Sequence, residues 1–300
     1  MNDARLLPRY PVYIPTKGRF DKSLTAKRLL RDRVPFYLVV EPQEYNSYYA
    51  QFGNEPLATI LTLPFSNLGK GSIPARNWIK QHSTENGDKR HWQLDDNLTK
   101  FYRVYKGKRI YCEAGIALRV TEDFVDRYTN VAISGLNYDF FGLNKTKPYL
   151  LNVHVYSCTL VLNEITNEWR GRYNEDTDMC LQVLADGWCT VQMNAFLVHK
   201  VRTMTMKGGN SDELYKDDGR LKMARSLERQ WKGVVKTGRR FQRPQHVVHK
   251  GWRNFDTPLI RRTDIDFDKL ENNYNIKLKQ VAKKVKSKTL QEWVNNDDTK

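Results

Sequence analysis

The chain of 300 residues predicts an α/β fold with a mostly parallel central sheet, and three observations predict it. Short apolar runs rich in β-branched and aromatic residues recur along it, each bounded by Pro, Gly, Asn or Asp. Between these runs lie stretches with apolar residues at helical spacing. The acidic and basic side chains best suited to chemistry fall where the runs end.

Residues 12–14 and 36–40 read as strands buried on both faces, because their apolar character is uninterrupted. Residues 23–31 between them have helical spacing, which completes a βαβ unit. A third strand is expected over 58–63. A helix over 72–80 follows, with Ser72 as N-cap and Pro74 in its first turn. Residues 91–94 give a fourth strand, with Asp95 at its carboxyl end, the edge where open α/β sheets hold ligands. Further on, helices are expected over 113–128 and 176–185, and strands over 131–134, 153–162 and 189–198. Residues 135–147 read as a long loop, with Asn137, Tyr138 and Phe140 as acceptor contacts. After His199 the chain turns basic. Residues 200–255 interleave aromatics with cations at little periodicity, and 265–300 read as a charged, partly helical tail. The expected organisation is a catalytic domain over 1–205 and a basic, partly helical extension over 206–300 packed on or beside it.

Fifty Lys and Arg against 34 Asp and Glu give a formal charge of +16, which concentrates polyanions at the surface. No apolar stretch approaches the ~20 residues that span a bilayer. The opening residues lack a signal peptide's apolar segment, so no membrane partner and a cytoplasmic location are expected. The four cysteines are far apart without a CxxC pair, and read as reduced core thiols rather than a zinc site. Neither GxxxxGK[ST] nor GxGxxG occurs, which disfavours an ATPase or a nicotinamide enzyme.

Four constellations carry chemistry. Asp95, Asp96 and Asn97 at a strand end offer oxygen ligands to Mn²⁺ or Mg²⁺ and, through the metal, a seat for a diphosphate; the plainer alternative is a turn. Glu175, Asp176 and Asp178 open a helix, where carboxylates are favoured by the dipole. Asp176 is also placed to act as a general base on an acceptor hydroxyl. His199 follows an apolar run and is expected to complete the metal site with Asp96 and Asn97, against the alternative of a satisfied core histidine. Lys17, Arg19, Lys70 and Arg76 lie near the ligand edge and are suited to grip phosphates. A further stretch over 232–254 holds Lys232, Lys236, Arg239, Arg240, Arg243, Lys250 and Arg253 with no acidic residue. Trp231, Phe241 and Trp252 lie in or beside it, as in a nucleic-acid surface, against the alternative of a solvated linker.

The order of Ile14-Pro15-Thr16-Lys17-Gly18-Arg19, Leu94-Asp95-Asp96-Asn97, Asn174-Glu175-Asp176 and His199 resembles the GT-A fold glycosyltransferases. Together with Ile73-Pro74-Ala75-Arg76-Asn77, it resembles more narrowly the phage TET-associated DNA glycosyltransferases, over residues 10–205. That resemblance implies a UDP-sugar donor, Mn²⁺ or Mg²⁺, and the hydroxyl of a hydroxymethylated pyrimidine in DNA as acceptor. The setting would be a host cytoplasm if the chain is phage-encoded. It implies that Asp95-Asp96-Asn97 stands at the DxD position, with Asn97 in place of the usual final Asp. Glu175 and Asp176 fit the xED motif, with Asp176 as base and inversion as the expected course. Residues Pro15 to Arg19 and Glu41 would hold the nucleoside, and Arg76 would approach the diphosphate. Two alternatives stay open: a GT-A transferase acting on a protein or surface glycan, and a non-catalytic DNA-binding protein on the same fold.

Overall fold

The computed structural model describes residues 7–171, 173–201, 219–240, 242–248 and 251–267. Strand β1 (Val12–Pro15) leads through helix α1 (Leu24–Arg31) to β2 (Phe36–Val40). The chain continues through α2 (Tyr45–Phe52) to β3 (Ala58–Thr62), and through α3 (Ile73–Glu85) to β4 (Arg90–Leu94). Parallel pairs join β1 to β2, β2 to β3 and β1 to β4. The chain therefore builds outward from β1 to β3, then crosses back to set β4 on the free side of β1. That reversal opens a crevice between the carboxyl ends of β1 and β4.

Period-two alternation explains why β1 is covered on both faces. Val12 and Ile14 enter one apolar cluster with Ala26, Leu29 and Tyr48, whereas Tyr13 enters another with Val39, Leu63 and Ile79. The two sets belong to helices on opposite sides: α1 and α2 cover one face, α3 the other.

The second half continues with β5 (Leu98–Tyr105), β6 (Lys108–Cys112), α4 (Ala114–Val125), β7 (Val131–Tyr138) and α5 (Asp139–Gly142). Then come β8 (Tyr149–Leu151), β9 (Cys158–Leu162), α6 (Glu175–Ala185) and β10 (Cys189–Lys200). The sheet has ten strands in the order β3-β2-β1-β4-β9-β7-β10-β5-β6, with β8 on β10. Strands β1 to β4, β6, β7 and β10 run one way, and β5, β8 and β9 oppose them, so the sheet is mixed but mostly parallel. Gly135 marks the tightest approach of β7 to β9, where an added Cβ would collide with the Cys158 carbonyl oxygen.

Beyond β10 lie α7 (Gly219–Gln230), an antiparallel hairpin of β11 (Val235–Arg240) and β12 (Arg243–Val248), and α8 (Gly251–Asn254). Leu227 and Val235 pack on Leu181 of α6. Asp178 of α6 accepts from Trp231 Nε1 at 2.6 Å and takes Arg170 through two bonds, at 2.9 and 3.2 Å. The chain then straps back to β7, where Asn130 donates to Pro258 O and accepts from the Ile260 N–H, both at 2.8 Å.

Several expectations are corrected here. The expected loop over 135–147 begins as strand, since β7 runs to Tyr138 before α5. The strand expected over 153–162 is confined to Cys158–Leu162. The described residues of the stretch 200–255 hold two helices and a hairpin, whose Leu227 and Val235 pack on Leu181 of α6. The β5–β6 hairpin was not expected. Its signal lies in Lys106-Gly107, whose φ of 47° and 71° suit the two-residue turn of a twisted hairpin. Ser72 makes no capping bond with its side chain. Most of the tail expected over 265–300 lies outside the described residues. No helix among the described residues is long and apolar enough to cross a membrane. Cys158, Cys180 and Cys189 are buried free thiols, and Cys112 is a half-buried one.

Candidate active site

A cavity of about 930 Å³ opens at the β1/β4 crevice. The loop after β1 supplies Pro15, Thr16, Lys17 and Arg19 to its wall, the end of β2 supplies Glu41, and the end of β4 supplies Asp95, Asp96 and Asn97. Arg76 enters from α3, and Glu175 and Asp176 from the first turn of α6. The topology thus gathers most of the residues expected for donor and catalysis. Two stand apart: Lys70 is not in the wall, although Gly71 and Ser72 are, and Gly18 is a turn residue. Its φ of 64° suits glycine, and the turn sends its N–H to Glu44 Oε1 at 2.7 Å while directing Arg19 inward.

The two carboxylates after β4 are held differently. Asp96 is buried, with Arg19 Nη1 2.5 Å from one oxygen and Thr16 Oγ1 2.8 Å from the other. Burial pushes its pKa up, against the opposing pull of Arg19 and Thr16. Asp95 accepts from Arg76 Nη2 at 3.0 Å on one oxygen, and from Ser157 Oγ at 2.6 Å and Lys200 Nζ at 2.7 Å on the other. Burial alone would raise Asp95, but Lys200 and Arg76 hold it well below the usual carboxylate range. Lys200 responds in kind: desolvation opposes its charge, yet Asp95 holds the ammonium above its ordinary pKa.

Arg76 links the two acidic stations. Its guanidinium is buried, takes Gln93 Oε1 at 3.1 Å, and places Nη2 3.7 Å from Asp176 Oδ1. Asp176 is pushed up to about 7, first by burial and then by Glu175 and Asp95, with Arg76 and Lys200 pulling the other way. The turn into α6 makes this possible. Asn174 adopts the left-handed conformation (φ 55°), which Asn tolerates, and its Nδ2 donates to Met223 O at 2.9 Å. Glu175 then accepts from Ser72 Oγ at 2.9 Å, while Asp176 turns into the cavity. Glu41 is similarly fixed. Although burial would raise its pKa, bonds from Lys17 and Gln43 and the Asn67 N–H keep it low.

The expected metal set does not assemble. The side chain of His199 leaves the cavity wall and pairs through Nδ1 with Asp139 Oδ1 at 3.1 Å, beside Arg109. The reason is the alternation of side chains along β10: if Lys200 faces the cavity, its neighbour does not. Both oxygens of Asp95 and of Asp96 already have donors, and three of those donors are cations. Asn97 Oδ1, buried without a partner, is the one oxygen of the set left open. Among the described residues no group of three His, Cys, Asp or Glu is arranged to hold a metal ion. The donor set does not fit a divalent cation.

The basic stretch contributes to the site in an unexpected way. Lys232, Lys236, Arg239 and Arg243 are exposed. Lys250 lies outside the described residues, as do the side chains of Arg240 and Arg253. Instead, the intervening Pro244, Gln245, His246, Val247 and Val248 of β12, with Trp252, form one wall of the cavity. His246 Nε2 lies 3.3 Å from Thr177 Oγ1, which in turn meets Tyr156 OH at 2.9 Å. Sequence reasoning also missed Lys200, Ser157 and Tyr156. Lys200 carried a readable signal, a cation at the carboxyl end of a strand. Ser157 and Tyr156 carried none.

Residues 10–209 match the model of the TET-Associated Glycosyltransferase family. No curated protein matches the chain. Among solved structures, the crystal structure of S. aureus TarS 1-349 is 10% identical with a TM-score of 0.40, and the alignment covers 64% of this chain and 60% of that one. The crystal structure of S. aureus TarS 1-349 in complex with UDP is 10% identical with a TM-score of 0.44, covering 74% of this chain and 71% of that one. This chain therefore spans about 60% of the first of them. The family match runs from before β1 to beyond β10, through the cavity residues from Pro15 to Lys200 but not the β12 wall, and the chain belongs to the TET-associated glycosyltransferases.

Proposed function

We propose that this glycosyltransferase moves a sugar from a UDP-sugar to the hydroxyl of a hydroxymethylated pyrimidine, such as 5-hydroxymethylcytosine, in DNA. The observation that carries the reading is the Arg76 bridge. One buried guanidinium lies 3.0 Å from Asp95 and 3.7 Å from Asp176, at a topological switch point. A cation and a carboxylate of raised pKa side by side are the groups that sugar transfer needs. Asp176 takes the proton of the acceptor hydroxyl. The oxygen attacks the anomeric carbon, the bond from that carbon to the diphosphate breaks, and the electron pair leaves on the diphosphate oxygen. Arg76 and Lys200 lie where that charge grows. A base acting opposite the leaving group gives inversion.

A base works best with a pKa near the working pH, and burial has moved Asp176 towards neutrality. Preorganised cations in a water-poor site stabilise departing charge far better than in bulk water. The oxygens of Asp95 and Asp96 accept from Arg76, Ser157, Lys200, Arg19 and Thr16, and the charge of the departing diphosphate is met by Arg76 and Lys200. The DNA acceptor rests on the family resemblance and on the charge of +16, with exposed Lys236, Arg239 and Arg243 on the hairpin that walls the cavity.

The test incubates the chain with a panel of UDP-sugars and DNA bearing 5-hydroxymethylcytosine or plain cytosine, then weighs the digested nucleosides. The expected result is a sugar mass gain confined to the hydroxymethylated base and lost in Asp176→Asn. UDP release with a protein or glycan acceptor, and no gain on any DNA, would replace the acceptor and keep the transferase.

A further inference from the structure

We infer that the β5–β6 hairpin and α5 form a track for an unpaired DNA strand leading into the cavity. The inference rests on the DNA acceptor proposed above and assigns it a surface separate from the basic stretch over 232–254. Among the described residues β6 is the last strand of the sheet and pairs only with β5. Between residues 98 and 112 the chain carries Lys100, Arg103, Lys106, Lys108 and Arg109 and no acidic residue. Lys100, Lys106, Lys108 and Arg109 are exposed.

Charges on an edge strand also guard against edge-to-edge aggregation, and that role alone would account for several lysines. It does not account for the aromatics. Tyr105 is 51% exposed and Tyr111 46% exposed on the same hairpin. Cations stand over the ring faces: Arg103 Cζ and Lys106 Nζ lie 5.6 and 5.4 Å from the Tyr105 centroid, and Arg28 Cζ lies 4.5 Å from that of Tyr111. Interleaved cations and exposed rings of one sign of charge match phosphates and bases, not an apolar partner.

The surface is continuous with the cavity. Arg109 Nη1 is bound to Asp139 Oδ2 at 2.5 Å, and this buried carboxylate opens α5. The next two residues, Phe140 and Phe141, are 54% and 50% exposed, and their rings meet at 4.4 Å. Phe140 stacks on Tyr138 with a 15° interplanar angle, and Tyr138 and Phe141 line the cavity itself. A row of flat faces, Phe140, Phe141 and Tyr138, thus runs from the Arg109–Asp139 pair to the reacting groups. Its faces are usable only by bases that are not paired and stacked in a duplex, which selects a single strand or an extruded base.

The experiment measures fluorescence anisotropy of a labelled oligothymidine across a salt series, for the wild-type chain, Lys106→Ala/Lys108→Ala and Phe140→Ala/Phe141→Ala. Metal-free UDP-sugar hydrolysis is read in parallel as a check on fold and donor site. The lysine pair should weaken binding about tenfold or more at low salt and reduce the log–log salt slope by about 1.4, the loss of two phosphate contacts on a single strand. The phenylalanine pair should weaken binding with an unchanged slope. Hydrolysis should persist in the lysine pair, a thermal melt serves as the fold control for the phenylalanine pair, and Lys106→Arg/Lys108→Arg should restore the wild-type slope. An unaltered slope and affinity in the lysine pair would overturn the track. So would displacement of DNA by polyglutamate at equal charge, which needs no ring. If wild type and lysine pair modify hydroxymethylated DNA equally, the track falls while the acceptor stands. If the slope changes as expected but no DNA is ever modified, the track stands while the acceptor falls.

Discussion

Lys200 Nζ stands 2.7 Å from Asp95 Oδ2 and 2.8 Å from Ser157 Oγ, so an ammonium occupies the flank of the acidic station at which a metal ion was expected. With Arg76 on the other oxygen, Asp95 orients two cations rather than one ion. Lys200→Met should lower kcat on the order of 100-fold, the loss typical of one removed electrostatic donor. It should also shift the pH–rate midpoint upward, since Lys200 helps keep Asp176 ionised. Steady-state kinetics over a pH series, with a thermal melt as fold control, checks both. Transfer in the wild type should survive EDTA; full loss on chelation and recovery with Mn²⁺ would refute the two-cation reading.

On the proposed mechanism Asp176 should set the acid limb of activity. Its carboxylate must be unprotonated to accept the hydroxyl proton, so kcat should rise with pH and level off above about 7. Asp176→Asn should abolish transfer. Glu175→Gln should move the midpoint to lower pH, because removing the neighbouring negative charge eases ionisation of Asp176. A Glu175→Gln profile superimposed on wild type would show that the two carboxylates do not interact.

Glu122 makes stability depend on pH. Its fully buried carboxyl accepts from Trp92 Nε1 and the Arg9 N–H, both at 2.8 Å, and from the Tyr10 N–H at 3.3 Å. Burial nonetheless lifts its pKa from 4.5 to about 7. The folded state therefore holds the proton more tightly, and stability should fall as pH rises from about 4.5 to about 7, by at most ~3 kcal/mol. His91 works the other way: burial lowers it to about 4, so its contribution is present above pH 6.5 and lost on acidification. Urea unfolding of wild type and Glu122→Gln from pH 5 to about 8 separates them, because the difference between the two should shift in favour of Glu122→Gln as pH rises.

Gly135→Ala should destabilise the chain by about 3 kcal/mol, the upper range for overpacking, because backbone rather than a flexible side chain blocks the added methyl group. Displacing β9 from β7 would also move Ser157, and with it Asp95. Urea midpoints and UDP-sugar hydrolysis should therefore fall together. A stable but inactive variant would mean that only the site, not the sheet, responds.

Trp231 ties the basic extension to α6 through its bond to Asp178 Oδ1 at 2.6 Å. Trp231→Phe should keep most of the packing and lose the bond. The expected cost is about 1–2 kcal/mol of stability with a larger effect on acceptor KM than on donor KM, since β12 walls the cavity. An unchanged acceptor KM would separate the extension from the acceptor side.

The sequence by itself determined the βα series, the strand ends carrying Pro15 to Arg19, Glu41 and Asp95 to Asn97, and the acidic start of α6. These are local: period-two and helical spacing write them into short windows, and chain order places strand ends on one edge. What the tertiary structure decided is which neighbour faces inward. His199 and Lys200 are adjacent in sequence, and only the register of β10 against β5 and β7 sends the lysine to Asp95 and the histidine to Asp139. Arg76 and Asp176 are a hundred residues apart, and their 3.7 Å separation follows from the packing of α3 beside α6, for which no window of sequence carries a signal. The basic stretch after β10 shows the same limit. Its cations are legible as composition, but the fold turns the uncharged side of β12 into the cavity, because burial of a charge without a partner costs more than burial of Pro244 or Val247.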